Sequence, residues 1–423
     1  MTRHLKLCHT SDWHLGHTLH GHSREHEHGR FLAFLLETLR EEQADALVVA
    51  GDVFDTANPP ASAQAMFYGF LAELRARLPS LDVVMVAGNH DSAARLSAPD
   101  PVLRALGVRI VGAVPRLGSG GRAPIDAEAM VLPLHDRGGA VAAWVAAVPY
   151  LRAADLPAPG EGETLVDGVR RVYDAVLGAA RARRKGDQAL VATGHATMVD
   201  ATASELSERP IFGGGKSALP VDLFGGDVSY VALGHLHLAQ AVGGHAHVRY
   251  SGSPIPLAMP EESYPHQVRL VRFENGRLAG QEEARVPRAV DVLRVPKDGP
   301  GELDLVLAQL ERLELSEGAP RERWPFLEVR VRLTEPVPDL RQRVEAALGA
   351  RPVRLVKIAV EHAGTKAALA ERAPRRELVD LEVEEVFRQC YARRFEGAPS
   401  EALTRAFAEV TEAARRALEE GVE

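Results

Sequence analysis

The chain has 423 residues, more than one ordinary domain, so two or three domains and a sizeable core are expected. Its formal net charge of −8 argues against a basic surface that grips nucleic acid along its whole length, although local patches or bound divalent ions could still hold phosphates. The two cysteines, Cys8 and Cys390, support neither a disulfide framework nor a thiolate metal site, and the apolar run 140–148 is too short to span a bilayer, so a soluble protein in the cytoplasm is expected.

Five strand-like apolar runs in the first 240 residues each end at a small or short polar residue, and Asp, Asn or His follows at once. Because open α/β sheets place their chemistry at the carboxyl ends of strands, we expect the five endings to meet at one spot. They are Asp12-Trp13-His14, Gly51-Asp52-Val53-Phe54-Asp55, Gly88-Asn89-His90-Asp91, Gly194-His195 and Gly234-His235-Leu236-His237.

The segments between these runs predict helices, which makes the first part of the chain an α/β domain. Ser23 is a candidate N-cap for a helix that ends near Glu42. The histidine-rich stretch 16–29 is interpreted as a solvated loop and first helical turn rather than a metal tract, because its spacing fits no compact ligand set. A helix over 61–78 carries a broad apolar face, which either packs on the core or partly meets a second subunit. The basic run 181–185 is typical of a solvated helix end.

Two glycine-containing turns lie further along the chain. Gly213-Gly214-Gly215-Lys216-Ser217 is not a phosphate loop, because Pro210 stands where that motif needs glycine, so no ATP site is expected. The turn 251–256 exposes backbone N–H groups and the hydroxyls of Ser251 and Ser253 beside the expected site, either to bind a substrate phosphate or as a plain end to a sheet. A strand over 268–273 is expected to close the first domain, at residues 1–275.

The strand endings supply oxygen and nitrogen donors and no sulfur, a set that suits two five- or six-coordinate divalent ions with the central Asp52 as the shared ligand. Two ions about 3.5–4 Å apart can activate a water nucleophile, neutralise a phosphoryl group and support the leaving oxygen, so phosphoester hydrolysis is the implied reaction. His90 directly follows a donor and can give a hydrogen bond or proton to the phosphate or leaving group. The predicted metal ligands are Asp12, His14, Asp52, Asn89, His195, His235 and His237.

The five motifs resemble those of the calcineurin-like metallophosphoesterases, and the stretches 10–16, 51–56 and 250–256 are similar to the SbcD family of bacterial nucleases. The resemblance implies an α/β fold: a metallophosphoesterase β-sandwich flanked by helices, with a small α+β capping domain and a C-terminal helix pair. The serine/threonine phosphatases of the same superfamily differ at the positions of Thr56 and Asp91, which disfavours a protein phosphatase. Some archaeal and eukaryotic relatives carry a histidine where this chain, like bacterial members, has Asp55, so no role follows for Asp55.

The resemblance also assigns roles within the site. One ion would be held by Asp12, His14, Asp52 and His237, and the other by Asp52, Asn89, His195 and His235. Manganese is the activator that the family implies, and His90 is the implied catalytic histidine.

The rest of the chain predicts a strand over 284–295, a helix over 303–315, a strand over 326–333, a helix over 340–348 and a strand over 353–361. By resemblance this α+β domain, at 284–363, is a cap that presents DNA to the metal edge. A polar linker is expected at 364–377, followed at 378–420 by two amphipathic helices. These resemble the pair that grips the SbcC coiled-coil ATPase, and the alternative is that they fold back on the cap.

The resemblance implies a metal-dependent DNA phosphodiesterase that acts as double-strand 3′–5′ exonuclease and as single-strand or hairpin endonuclease. It would work in DNA repair and recombination, as part of a homodimer within a heterotetramer with SbcC. Two alternatives stay open: a small-molecule or cyclic-nucleotide phosphodiesterase, and a non-catalytic DNA-end scaffold whose metals are structural.

Overall fold

The structure, a computed structural model, describes residues 3–118, 123–160, 162–202, 218–315, 318–362, 383–392, 395 and 398–420. The turn at 213–217 and the predicted linker at 364–377 lie outside these residues. Within the described ranges, no helix combines the length and the apolar character needed to cross a bilayer.

The first sheet follows from apolar runs separated by helices. Its region contains β1 (His4–Thr10), β2 (Thr18–Leu19), β3 (His22–Ser23), α1 (Glu25–Glu41), β4 (Ala46–Ala50), α2 (Ala61–Arg77), β5 (Asp82–Val86), α3 (Ala93–Ser97), α4 (Asp100–Ala105) and β6 (Val108–Val111). β1, β4, β5 and β6 are parallel neighbours. Both of their faces are covered, which explains why the strands are continuous apolar runs rather than alternating ones.

The second sheet is built from later segments. They are β7 (Val131–His135), β8 (Val141–Ala146), α5 (Leu165–Arg183), β9 (Ala189–His195), β10 (Tyr230–Gly234), β11 (Gln240–Val242) and β12 (His245–Tyr250). The next two strands, β13 (Gln267–Glu274) and β14 (Arg277–Arg285), return to the first sheet, where β13 pairs with β1. The strand order is β11-β12-β10-β9-β8-β7 in the second sheet and β14-β13-β1-β4-β5-β6 in the first sheet. One apolar core joins the facing sides of the two sheets, with Leu7 and Val48 from the first and Val191 and Val231 from the second. Helices α1 and α2 cover the outer face of the first sheet, so the predicted sandwich flanked by helices is confirmed.

The predicted boundary at residue 275 is wrong, because it falls in the turn of a hairpin. Asn275 and Gly276 have φ of 48° and 76° and connect β13 to β14, which pair from Glu274↔Arg277 outward. An Asn-Gly pair accepts two consecutive positive φ values at little cost, and this favours a two-residue hairpin. The first sheet therefore extends to Arg285, and the single strand predicted over 284–295 is instead the end of β14 and a separate β15.

A smaller unit follows, with β15 (Val292–Val295), β16 (Gly301–Glu302), α6 (Leu303–Glu311), β17 (Phe326–Leu333), α7 (Leu340–Leu348) and β18 (Arg354–His362). β17 pairs in parallel with the other three strands, and the two helices share an apolar core with this sheet. Phe326 is fully buried and packs with Leu19 and Met259 of the first unit. The Arg24 guanidinium lies 5.1 Å from the centre of the Phe326 ring. The smaller unit therefore contacts the segment just after the first motif.

The structure changes the interpretation of the histidine-rich stretch. It forms the β2–β3 hairpin and the start of α1, and His28 is buried, so it is only partly solvated. Helix α1 begins at Glu25 with Arg24 as its N-cap, one residue later than the Ser23 prediction, although the Ser23 hydroxyl still accepts the Glu25 N–H at 3.3 Å. The basic run pairs with acidic side chains such as Asp227, as expected of a helix end.

The C-terminal segment contains α8 (Val383–Ala392) and α9 (Glu401–Glu420). The rings of Phe387 and Phe407 stack at 4.1 Å and join the two helices. Arg405 donates to the carbonyl oxygen of Glu163 at 3.3 Å, and α9 contacts the turn Ala153–Asp155. These described contacts of α9 are with the first unit, not with the cap on which the alternative prediction placed the helices.

Candidate metal centre

Tight turns at the strand ends bring the predicted donors together. Asp12, His14, Asp52 and His235 have φ of 54°, 47°, 49° and 100°, values that are uncommon for residues other than glycine. Hydrogen bonds hold two of these turns side by side: the N–H of Asp12 donates to the Gly51 carbonyl, and that of His14 donates to the Asp52 carbonyl, both at 3.0 Å. The first two motifs therefore have a fixed relative position.

Close approach explains the glycines beside the donors. A Cβ added to Gly51, whose φ is +96°, would lie 2.8 Å from Cγ of His195 and 2.9 Å from Cα of Gly88. A Cβ added to Gly234 would lie 2.8 Å from Cβ of Ser11. The glycines thus allow motifs from the two sheets to meet.

Three overlapping groups of side chains place their donor atoms within 4.8 Å of one another: Asp12 with His14 and His237, Asp12 with Asp52 and His195, and His14 with Asp52 and His90. Asp52 Oδ2 lies 3.5 Å from His14 Nε2 and 3.2 Å from His195 Nε2, so one carboxylate oxygen approaches histidines from both sheets. This is the arrangement expected of a carboxylate shared by two ions.

Asn89 and His235 complete the cluster. Asn89 Oδ1 lies 2.9 Å from His195 Nε2 and 3.0 Å from His235 Nδ1. The N–H of His235 donates to Asp12 Oδ1 at 2.9 Å, which links the fifth motif to the first. All seven residues predicted as ligands are therefore neighbours at one edge of the sandwich.

The chemistry of the cluster fits divalent ions. His14 and His235 are 3% and 4% exposed, and among the described residues the Nε2 atom of each has no hydrogen-bond partner. Burying such an atom unpaired is costly, whereas a bound cation would use both lone pairs. Oxygen and imidazole donors without sulfur suit divalent metal ions.

Asp52 and His195 perturb each other strongly. Burial alone would lower the pKa of His195, but the charge of Asp52 and its hydrogen bond raise that pKa to about 9. Burial alone would raise the pKa of Asp52, but the positive charges of His195 and His90 hold it well below the usual range. The carboxylate is thus ready to bind cations at neutral pH.

His90 lies beside the cluster and is half-buried. Its backbone N–H donates to Asp52 Oδ1 at 2.8 Å, and its ring Nδ1–H donates to the Asp55 carbonyl at 2.7 Å. The Asp55 carboxylate in turn lies 3.3 Å from His14 Nδ1. Asp55 thus contacts both histidines, a role that the sequence did not indicate.

The sequence did not predict the roles of two further buried carboxylates. Asp91 accepts backbone N–H groups from Val53, Phe54 and Gly88 and so joins the second and third motifs. Its position directly after His90 could have indicated a role at the site. Glu261 contacts His237 from 24 residues away, and no local pattern marks it.

The expectation of exposed serine hydroxyls is wrong. Ser251 and Ser253 are both fully buried. The Ser251 hydroxyl lies 2.8 Å from that of Ser11, and the Ser253 N–H donates to the His237 carbonyl at 3.1 Å. These contacts support the first and fifth motifs, so a direct substrate contact by either hydroxyl is not proposed further.

An α/β sandwich with this donor cluster at its strand ends defines a metal-dependent phosphoesterase. The family model for calcineurin-like phosphoesterases matches residues 5–239, and a model described as Type 5 capsule protein repressor C-terminal domain matches residues 288–395. The chain belongs to the calcineurin-like phosphoesterases and, within them, to the metal-dependent nucleases of the SbcD family.

Similar proteins carry that family name. The chain is 41% identical to the SbcD subunit of nuclease SbcCD from Rhodobacter capsulatus, over 90% of this chain and 93% of that protein. It is 35% identical to the protein of the same name from Escherichia coli K12, over 90% and 92%, and 30% identical to that from Bacillus subtilis, over 96% and 97%. A solved dimetal phosphatase from Danio rerio aligns over 67% of this chain and 99% of its own, at 13% identity and a TM-score of 0.35.

Proposed function

We propose that this protein hydrolyses phosphodiester bonds in DNA as the nuclease subunit of a complex with an SbcC-type ATPase, with manganese as the activating ion. Double-stranded ends would be degraded 3′ to 5′, and single strands and hairpins would be cut internally, in DNA repair, recombination and replication. The observation that carries this proposal is the buried donor cluster, in a chain 41% identical to the SbcD subunit of an SbcCD nuclease.

The proposed ligand sets are those that the family resemblance implies. Asp12, His14, Asp52 and His237 would hold one ion, and Asp52, Asn89, His195 and His235 the other. Two ions bound there would activate a water molecule and neutralise the phosphate charge. The grouping of Asp12 with His14 and His237, and the contacts of Asn89 with His195 and His235, support this division.

His90 is the proposed catalytic histidine. Because its Nδ1–H donates to the Asp55 carbonyl, the ring orientation is fixed and a proton given to the leaving oxygen would come from Nε2. Its partial exposure beside the buried donors allows contact with a phosphate. The same ring lies 4.7 Å from that of His14, which keeps the proposed acid close to the metal edge.

The C-terminal helices are the proposed contact with the ATPase coiled coil. Three apolar side chains of these helices are exposed: Val386 (39%), Leu403 (40%) and Val410 (67%). Such exposure is expected of helices that bind a partner helix through an apolar face. We assign the nuclease domain to residues 1–285, the cap to the unit that begins near β15, and the partner-binding segment to 378–420. We also propose a homodimer that contacts through α2, on which Tyr68 is 36% exposed. The proposed location is the cytoplasm, at the nucleoid.

The test is manganese-dependent cleavage of a labelled DNA hairpin and a blunt duplex by wild type and His90→Ala, with a small bis-aryl phosphate as a competing substrate. We expect wild type to cut DNA and His90→Ala to bind manganese but lose cleavage by about 10²–10⁴-fold. Hydrolysis of the small ester alone, even with the ATPase added, would replace the proposal by a small-molecule phosphodiesterase. Normal cellular function of His90→Ala would favour the non-catalytic scaffold.

A further inference from the structure

A buried carboxylate outside the five motifs contacts one of the proposed ligands. Glu261 lies in the short helical turn Met259–Ser263 and is 0% exposed. Its Oε1 accepts the Nδ1–H of His237 at 2.9 Å, and its Oε2 accepts the backbone N–H of Leu257 at 2.8 Å. Both carboxylate oxygens are therefore used inside the protein.

The contact with His237 fixes the tautomer of the ring. A neutral imidazole that donates from Nδ1 carries its lone pair on Nε2, the form in which it can bind a metal ion through Nε2. A carboxylate at Nδ1 also makes the ring a stronger donor, as outer carboxylates do for metal-bound histidines generally.

The position of Glu261 is fixed by contacts that return to His237. The His266 ring lies between the carbonyl oxygens of Ser253 and Glu261, at 2.9 and 3.0 Å. The Ser253 N–H donates to the His237 carbonyl at 3.1 Å, so the contacts form a closed ring through four residues. A carboxylate held this rigidly can orient the imidazole rather than only neutralise it.

We propose that Glu261 is a positioning residue for His237, which it holds in the orientation and tautomer needed to bind a divalent ion. The inference rests on the proposed assignment of His237 as a ligand. Glu261→Gln separates this role from a structural one, because glutamine has nearly the same shape and its oxygen can still accept the Leu257 N–H. Its NH₂ group would then face Nδ1 of His237 and favour the opposite tautomer, with the proton on Nε2.

The experiment measures manganese binding by isothermal titration calorimetry on the full chain for wild type, Glu261→Gln and Glu262→Gln, a matched control one residue away. We expect Glu261→Gln to weaken one of the two manganese sites by about 10–100-fold. Glu262→Gln should bind as wild type does. In urea without metal, Glu261→Gln should unfold at nearly the wild-type midpoint, which shows that the fold is kept.

A double-mutant cycle makes the test specific. In a His237→Ala background, adding Glu261→Gln should cause no further loss of affinity, because the ring that it positions is gone. A further loss of equal size there, or wild-type binding by Glu261→Gln, would overturn the role of Glu261 while leaving His237 as a ligand. If His237→Ala itself binds two manganese ions as wild type does, the proposed ligand set is wrong.

Discussion

Replacing Gly51 by alanine tests whether the two sheets meet at the distance described. The positive φ of +96° would cost about 1–3 kcal/mol for any side chain, and the overlap with His195 and Gly88 would add about 1–3 kcal/mol. The expected loss in the free energy of unfolding is therefore about 2–6 kcal/mol. Since the added Cβ displaces the ring of His195, a proposed ligand, manganese binding measured by titration is expected to weaken as well.

Gly21→Ala is the matched control, because Gly21 has a φ of +81° and nothing within 4 Å of an added Cβ. It should lose only the backbone contribution, about 1–3 kcal/mol, and bind manganese normally. Urea unfolding of metal-free protein, followed by circular dichroism, gives the loss in the free energy of unfolding for each of the two variants. Equal losses in the two variants would refute the close approach of Gly51 to His195.

Three further predictions follow from other contacts. Asp91→Asn leaves one acceptor oxygen for three backbone N–H groups and should cost about 1–3 kcal/mol, measured by urea unfolding, with Asp100→Asn, a carboxylate on α4, as control. Burial lowers the pKa of His9 to about 3, so His9 stays neutral in the folded protein but gains a proton below about pH 6.5 in the unfolded protein. The free energy of unfolding should therefore fall as the pH drops from 6.5 towards 3, by up to about 1.4 kcal/mol per pH unit. Unfolding of metal-free protein at pH 7.5 and 5.5 measures this slope, which His9→Gln should lessen. Phe326→Ala should lower the free energy of unfolding by about 3–5 kcal/mol and speed amide hydrogen exchange at residues 17–24, which the cap contacts. Unchanged exchange there would contradict the Arg24–Phe326 contact.

The sequence was most informative where a buried strand runs directly into a polar residue. Asp12, Asp52 and Asn89 follow such strands, and their convergence needed only the rule that parallel strands end at one edge. The same rule allowed the sequence to predict that the donors lie close together.

The rest depended on contacts between distant segments. Glu261 is joined to His237 across a loop that carries no periodic pattern, and the backbone of Ser253 contacts His237 and His266, which are distant in sequence. The β13–β14 hairpin is a different case, since the Asn275-Gly276 signal was present and only its meaning was missed. Local propensity therefore placed the donors, and long-range packing placed the groups that support them.

The division of the donors between the sheets has a consequence for the lifetime of the protein. The first sheet supplies Asp12 and Asp52, and the second supplies His195 at the end of β9. Ions that bind only when both sheets are assembled shift the folding equilibrium, by about 2.7 kcal/mol at a free concentration one hundred times the dissociation constant. Opening either sheet would release the ions and forfeit that stabilisation for both. Metal supply in the cell would thus set how long the folded chain resists proteolysis, as well as how fast it works.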